Sequence, residues 1–238
     1  MNLGKADRDL VPLLRERLKS SSPYVRECAA SLLAGIGPKA VEAAPELLSV
    51  LNEPFEEEKP RRASPDEQPD PAHYAVRALS NFPSTPEFIH ALVTNLESDV
   101  LKRREQAAYH LGKLGPSART AIPALVAALR AQLKNHENPH PFGTADALGK
   151  IAPGTDCCDI CVAVLVDALR SKNANMRVQA SDALGRFGNK AQVAIVGLKS
   201  LTNDAEVADQ FNRRVKDAAS KALRAIETAL VPSDESTR

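Results

Sequence analysis

One fourteen-residue pattern recurs six times along this 238-residue chain, and no other feature of the sequence constrains the fold as strongly. Each copy has an anchor leucine, a small residue four positions earlier and an apolar residue three positions later. The anchors are Leu33, Leu79, Leu111, Leu148, Leu184 and Leu223. This spacing places the three side chains on one face of a helix, and the small residue lets a second helix approach closely. We call this predicted helix "helix A".

A second apolar segment begins about fourteen residues beyond most anchors and predicts a partner, "helix B". The segments are 45–51, 90–96, 123–129, 163–169 and 196–201, and residues 9–18 resemble them. Glycine or proline follows helix A in five of the six copies, which stops a helix. One A–B hairpin cannot bury its own apolar face, so hairpins must stack. The sequence predicts an all-α, right-handed α-solenoid of stacked helical hairpins with about twelve helices.

The copy at 25–38, VRECAASLLAGIGP, carries the pattern most fully, through Val25, Arg26, Ala29, Ala30, Leu33, Ile36, Gly37 and Pro38. It resembles HEAT repeats, in particular the short HEAT-like repeats first named for phycobilisome lyases. The resemblance covers nearly the whole chain and implies an armadillo-like solenoid. It leaves function open, because this family includes scaffolds, adaptors and occasional enzymes.

The repeat phase predicts a single solenoid over residues 1–238 with one interruption. Residues 52–71 hold five prolines, seven acidic residues and one aromatic residue, a composition that predicts a flexible insertion. Ser64 lies there in an RRAS match, and whether it is modified stays open. We expect a disordered tail at 231–238.

Charge and composition narrow the class of partner. Lysine plus arginine (31) nearly equals aspartate plus glutamate (30), so no net field attracts nucleic acid or anionic lipid. No apolar run approaches the roughly 18 residues that span a bilayer, and the N-terminus lacks the signal-peptide pattern. Four cysteines do not form a disulfide framework, which fits a reducing compartment. We expect a cytoplasmic monomer.

The catalytic motifs are missing from the sequence: it contains no nucleophile elbow, P-loop, dinucleotide fingerprint or HExxH. We therefore predict no enzyme activity and no catalytic, cofactor-binding or metal-ligating residue. The resemblance implies that B helices line the concave side. Their outward columns mix charge signs, which suits a protein partner and predicts a non-catalytic protein–protein interaction scaffold. The candidate binding residues are Glu16, Lys19, Ser49, Thr94, Glu97, Arg130, Asp167, Arg170 and Lys199.

Three cysteines, Cys157, Cys158 and Cys161, cluster where helix B of the fourth repeat begins. With Thr155 or Asp156 as N-cap, the helix dipole would lower a thiol pKa. The favoured interpretation is small, partly buried helix-start residues, and a redox-responsive module is an alternative. A zinc site would need further ligands, such as those of the loop 135–140, which the hairpin places at the far end of helix A. The family resemblance alone suggests another alternative, a bilin-lyase-like protein or other HEAT-repeat enzyme accessory.

Basic residues recur at one phase of helix A, as Arg26, Arg104, Arg177 and Lys216. Because they occupy matching helix starts, they predict hydrogen bonds or carboxylate pairs between repeats rather than a ligand site.

Overall fold

The computed structural model describes residues 3–53, 70–134, 143–208 and 214–231, with side chains from Leu10 onward. These residues form twelve α-helices and no β-strand, apart from an isolated bridge between Val207 and Arg214. The predicted all-α fold of helical hairpins is confirmed. The helices are α1 Leu3–Leu18, α2 Pro23–Ile36, α3 Ala44–Asn52, α4 Pro71–Leu79, α5 Pro86–Leu96, α6 Leu101–Leu114, α7 Ile122–Lys134, α8 Thr144–Ile151, α9 Cys158–Ala168, α10 Ala174–Arg186, α11 Ile195–Ser200 and α12 Val215–Leu230.

Odd-numbered helices are B helices and even-numbered helices are A helices. Helix α1 begins at Leu3, earlier than predicted, and therefore contains Pro12 in its interior. The chain divides into two compact units, Met1–His110 (unit 1) and Leu111–Arg238 (unit 2). That both form one continuous solenoid stays a prediction. The predicted insertion and tail, including Ser64, fall largely outside the described residues.

Three A helices end at a glycine with positive φ: Gly37 (73°), Gly115 (57°) and Gly188 (54°). Residues with a Cβ rarely adopt this conformation, so these glycines stop α2, α6 and α10 where the sequence predicts. A seven-residue 3₁₀ segment follows each one and leads directly into the next B helix. The three segments cover residues 37–43, 115–121 and 188–194.

The anchor leucines form the core of both units. All six helix-A anchors are buried, and so is at least one leucine in each B helix. The B-helix leucines are Leu14, Leu47, Leu92, Leu125, Leu165 and Leu198. Because burying one leucine stabilises a fold by about 1.5–3 kcal/mol, these twelve positions fix which face of every helix points inward.

In unit 2, consecutive A helices approach until their backbones touch. A glycine directly after one anchor faces an alanine directly before the next. A Cβ added to these glycines would lie 3.1, 2.6 and 3.2 Å from the facing alanine Cα. The pairs, in the same order, are Gly112 with Ala147, Gly149 with Ala183 and Gly185 with Ala222. The recurring Ala-Leu-Gly triplet therefore marks the positions in the sequence where the A helices pack closely.

Unit 1 has a polar pair at the matching position. Ser80 of α4 donates a hydrogen bond to the carbonyl of Val76 (2.8 Å), so its oxygen can accept one from Nδ1 of His110 in α6. His110 is buried in this contact. A hydrogen bond here replaces the backbone contact that joins A helices in unit 2.

The recurring arginines hold neighbouring helices together, which confirms that prediction for three of the four. In each, Nη1 donates to a backbone carbonyl six residues earlier, just beyond the preceding B helix. The bonds are Arg26 to Ser20 (2.7 Å), Arg104 to Ser98 (2.6 Å) and Arg177 to Ser171 (2.8 Å). They satisfy carbonyls that a helix end leaves without a partner.

Arg177 makes the most extensive set of these contacts. Its Nε donates to Asp204 (3.0 Å) and its Nη2 to Glu206, both beyond the end of α11. Its side chain is buried. The fourth position differs, since Lys216 contributes a backbone N–H that donates to the Asp204 carbonyl (3.0 Å).

We expect Gly149→Ala to destabilise the protein by about 1–3 kcal/mol, because the new Cβ overlaps Ala183 and the helices must separate. Gly35→Ala in α2 is the matched control, since nothing lies within 4 Å of its Cβ position. Helix propensity alone should leave it neutral or stabilise it by up to about 1 kcal/mol. Urea denaturation measures both, and a Gly149→Ala protein as stable as wild type would contradict the packing argument.

We expect Arg177→Met to lower the free energy of unfolding by about 2–4 kcal/mol, because it removes the buried donor of the Ser171 carbonyl and of the partly buried Asp204 carboxylate. Arg224→Met removes an exposed arginine from α12 and should change it by less than about 0.5 kcal/mol. Thermal and urea denaturation of the two variants compare these losses, and equal effects would show that the Arg177 contacts contribute nothing.

Candidate functional site

The candidate site is the outward stripe of the B helices, the side chains at positions −5, −2, +2 and +5 from each buried B-helix leucine. All nine residues proposed from the sequence are exposed. Eight of them lie at +2 or +5 of this stripe, and the ninth, Lys199, does not. Whether any of them binds a partner stays a prediction.

The register of α11 differs by one residue from the sequence prediction. Leu198 is buried and follows Gly188 by ten residues, as Leu47 follows Gly37. Position +2 is therefore Ser200, and Lys199 is an exposed neighbour at +1. Gly197, one position earlier, approaches the preceding hairpin so closely that an added Cβ would lie 3.0 Å from Leu169 Cδ1.

In unit 1 the stripe is dominated by carboxylates. Glu42 and Glu87 are exposed at −5, and Glu97 is exposed at +5. The cation of this stripe, Lys19, pairs with Glu16 at 2.7 Å. Because the lysine already has a carboxylate partner, the stripe presents a net negative surface.

An ion pair also joins α1 and α3 beside this stripe. Arg15 Nη2 donates to Glu46 Oε1 at 2.8 Å, and Nε contacts both carboxylate oxygens. The hydrogen bond from Arg15 holds the pKa of Glu46 below its ordinary value. This pair supports the packing of consecutive hairpins.

Unit 1 also contains a cleft of about 460 Å³ where α3 and α5 end, and it brings together Thr94 and Glu97 from the sequence proposal. Arg103 lines the cleft, donates to the Glu53 carbonyl (2.6 Å) and lies 3.8 Å from Asp70. Burial lowers the pKa of Arg103, the nearby carboxylates opposing the shift. These contacts make Arg103 a structural cation under a polar cleft.

In unit 2 the first half of the stripe is apolar on α9 and α11, which the sequence analysis missed. Ile160 and Ala163 of α9, with Val193 and Val196 around the start of α11, occupy positions −5 and −2. Position −2 is proline in α1, α3 and α7, and this recurring proline gave no reason to expect an aliphatic residue such as Val196 there. Extending the outward columns toward the helix starts would have found these four residues.

The second half of the unit 2 stripe carries Arg130 and Arg170 at position +5, and three exposed lysines lie beside it. Five exposed cations lie at the ends of α7, α9 and α11, and none forms an ion pair within the described part of unit 2. They are Arg130, Lys134, Arg170, Lys172 and Lys199. A helix C-terminus favours cations, so these charges need no carboxylate to stay in place. Asp167 is the acidic side chain at +2 of α9.

The cysteine cluster lies at the start of α9, as predicted, but its capping differs. Cys157 occupies the N-cap position without a side-chain cap bond, because the Thr155 hydroxyl donates instead to the Ala152 carbonyl (2.7 Å). The expected N-cap of Thr155 or Asp156 is therefore wrong. Cys158 is buried, and its Sγ donates to the Ala152 carbonyl as well (3.2 Å).

The thiols of this cluster have different environments. Cys161 is fully buried, and burial raises its pKa to about 12, the opposite of the lowering expected from the helix dipole. Cys157 is exposed, and all four cysteines of the chain are free thiols. Whether the Cys157 thiol is reactive stays a prediction.

Within the described ranges, no group of three or more histidine, cysteine or acidic side chains is placed to hold a metal ion. The loop at 135–140 that supplied the alternative ligands lies outside those ranges. No helix among the residues described is both long and apolar enough to cross a membrane.

Comparisons with known proteins agree with this geometry. Residues 10–40 match the family model of the HEAT repeat, and residues 103–131 match that of the PBS lyase HEAT-like repeat. No curated protein matches the sequence.

Solved structures with the same fold cover nearly the whole chain. An engineered protein is 25% identical with a TM-score of 0.60, over 92% of this chain and 97% of that one. A designed armadillo repeat protein in complex with the peptide (KR)4 is 18% identical with a TM-score of 0.57, over 91% and 99%. The designed armadillo repeat protein YIII(Dq)4CqI gives 18% and 0.55 over the same shares. The fold is thus an α-solenoid of the HEAT and armadillo class, and two segments of the chain match HEAT-like repeat models.

Proposed function

We propose that this protein is a non-catalytic scaffold that binds segments of other proteins on the outward stripes of its B helices. One observation carries the proposal: in unit 2 the stripe exposes aliphatic side chains and cations that the described part of the unit leaves uncovered and without ion pairs. Uncovered apolar side chains beside unpaired charges are characteristic of interaction surfaces.

Structures of the same fold support a peptide segment as the partner class. One designed armadillo protein is in complex with the peptide (KR)4, and others were designed for modular peptide recognition. We infer the same class of ligand for this chain, with residues chosen by its own stripes. The balanced net charge argues against a nucleic-acid backbone as the partner.

The scaffold would act through rigid presentation. Each stripe is fixed by a fully packed leucine on the opposite side of the same helix, such as Leu125 or Leu165. A preorganised surface loses little conformational entropy when it binds, so a few contacts can give useful affinity. Neighbouring helices pack about 8–10 Å apart, which is roughly three residues of an extended chain.

Panning a random peptide library against the protein tests this proposal. We expect selected peptides to lose about tenfold or more in affinity with a charge reversal in one stripe. The variants are Arg130→Glu/Arg170→Glu in unit 2 and Thr94→Lys/Glu97→Lys in unit 1. Lys221→Glu/Arg224→Glu on α12 is the matched control for the unit 2 variant, with the same change in charge. Peptides that bind both stripe variants with wild-type affinity would refute the assigned surface.

The scaffold proposal gives Cys158 and Cys161 a structural role, which thiol counting tests. We expect two thiols, the exposed Cys28 and Cys157, to react with DTNB in the native protein at pH 8. Burial protects the other two until the protein unfolds, and the raised pKa keeps Cys161 protonated at this pH. In Cys157→Ser we expect one native thiol. Four native thiols, or a disulfide that forms readily within the cluster, would favour the redox alternative instead.

A further inference from the structure

Three branched aliphatic side chains and one alanine are exposed at equivalent stripe positions of two consecutive hairpins in unit 2, and we call them the apolar rows. Ile160 is 55% exposed, Val193 71% and Val196 81%, and the methyl group of Ala163 is exposed beside them. Helix α9 packs against the 188–194 segment, which places the stripe of α9 next to the stripe of the following hairpin. Just beyond the end of α9, Leu169 Cδ1 lies 3.0 Å from where a Cβ on Gly197 of α11 would be.

The small side chain of Ala163 shapes the apolar rows. Ile160 lies one turn before it on α9, and Val193 and Val196 project from the neighbouring hairpin. Because the Ala163 side chain is a single methyl group, a branched side chain of a ligand can approach α9 more closely there than at Ile160. The apolar rows therefore favour a ligand that presents branched aliphatic side chains.

Three exposed cations, which we call the basic row, lie toward the other ends of the B helices: Arg130 in α7, Arg170 just beyond α9, and Lys199 beside the stripe in α11. Arg170 follows Ala163 by seven residues, which is about 10 Å along the axis of a helix. Asp167 lies between the rows and can accept a hydrogen bond from a ligand N–H. Because the basic row has no ion pair within the described residues, its charges are available to a ligand.

The size of the apolar rows favours a peptide over a folded surface. A stable interface between folded proteins, including a second copy of this chain, takes roughly 20–30 residues from each side. Four apolar residues next to three cations are a much smaller site, suited to a short segment. The basic row favours an acidic segment over a basic one.

Helix spacing sets the pattern of that segment. In the extended polyproline II conformation a chain advances about 3.1 Å per residue with three residues per turn, so every third side chain returns to the same face about 9 Å farther along, close to the distance between neighbouring helices. We propose that the unit 2 stripe binds an extended acidic peptide in which aliphatic side chains three residues apart cover the apolar rows while its carboxylates reach the basic row. This inference rests on the proposed scaffold function and names the partner's chemistry.

Unit 1 provides an internal contrast. Its stripe has Glu42 and Glu87 at the position that Ile160 and Val193 occupy in unit 2. An acidic peptide would meet like charge there. The two units therefore differ in the ligand chemistry that they accept, and the acidic peptide belongs to unit 2.

Fluorescence anisotropy with three labelled synthetic peptides tests the proposal. The first repeats Glu-Asp-Val four times, the second replaces every acidic residue by lysine, and the third replaces every valine by serine. We expect the first to bind the full-length protein at least about tenfold more tightly than either of the others. Comparable binding of the lysine peptide, or of the serine peptide, would overturn the proposal.

Variants then locate the site. We expect Ile160→Ser/Val196→Ser, one change in each row, to weaken the acidic valine peptide about tenfold. Arg130→Glu/Arg170→Glu should reverse the preference toward the lysine peptide. The Lys221→Glu/Arg224→Glu control should stay within about twofold. Circular dichroism confirms that each variant is folded, and wild-type affinity in Ile160→Ser/Val196→Ser would overturn the proposal.

Failure here is distinguishable from failure of the scaffold function. If library binders depend only on the unit 1 stripe, or depend on unit 2 and have basic sequences, the scaffold stands and the acidic-peptide inference is wrong. If no library binder depends on either stripe, both are wrong.

Discussion

The backbone contact between neighbouring A helices determines the geometry of unit 2. Gly149 and Ala183 meet so closely that one additional methyl group would overlap the facing backbone. Since glycine and alanine flank the anchor leucines, the same residues that bury the core also fix the distance between helices. The B helices inherit that distance, because 3₁₀ segments such as 188–194 tie each of them to an A helix. The buried contacts between A helices therefore set the distance between neighbouring helices of the outward stripe.

The two units show how one repeat supports different surfaces. Buried positions keep their chemistry, as the leucine anchors do throughout. Where packing relaxes, a polar pair such as Ser80 and His110 can replace the backbone contact. The outward positions face no such restriction, so unit 1 carries glutamates where unit 2 carries Ile160 and Val193. The buried positions specify the fold, and the stripe is free to specify the partner.

This division explains what could be predicted from the sequence. Anchors and glycine stops such as Gly37 were predictable, because burial and positive φ restrict the residue choice. The register of Lys199 was not, since α11 is short and Gly197 occupies a position that other helices fill with a larger side chain. The Cys157 N-cap was missed because Thr155 bonds back to α8 rather than forward. The apolar rows were missed because the outward columns were followed only from the buried leucines toward the helix ends, while these residues lie toward the helix starts.

The cysteine cluster follows from the same packing rule. Cys161 lies four residues before its buried leucine, the position that Ala43, Ala121 and Ala194 occupy in other repeats, all with no exposed surface. A cysteine fits there because its thiol is small and weakly polar. Cys158 satisfies the end of α8 through the Ala152 carbonyl. Two of the three sulfurs are thus explained by space and hydrogen bonding. Only Cys157, one turn before Ile160, remains as a thiol exposed to solvent beside the apolar rows.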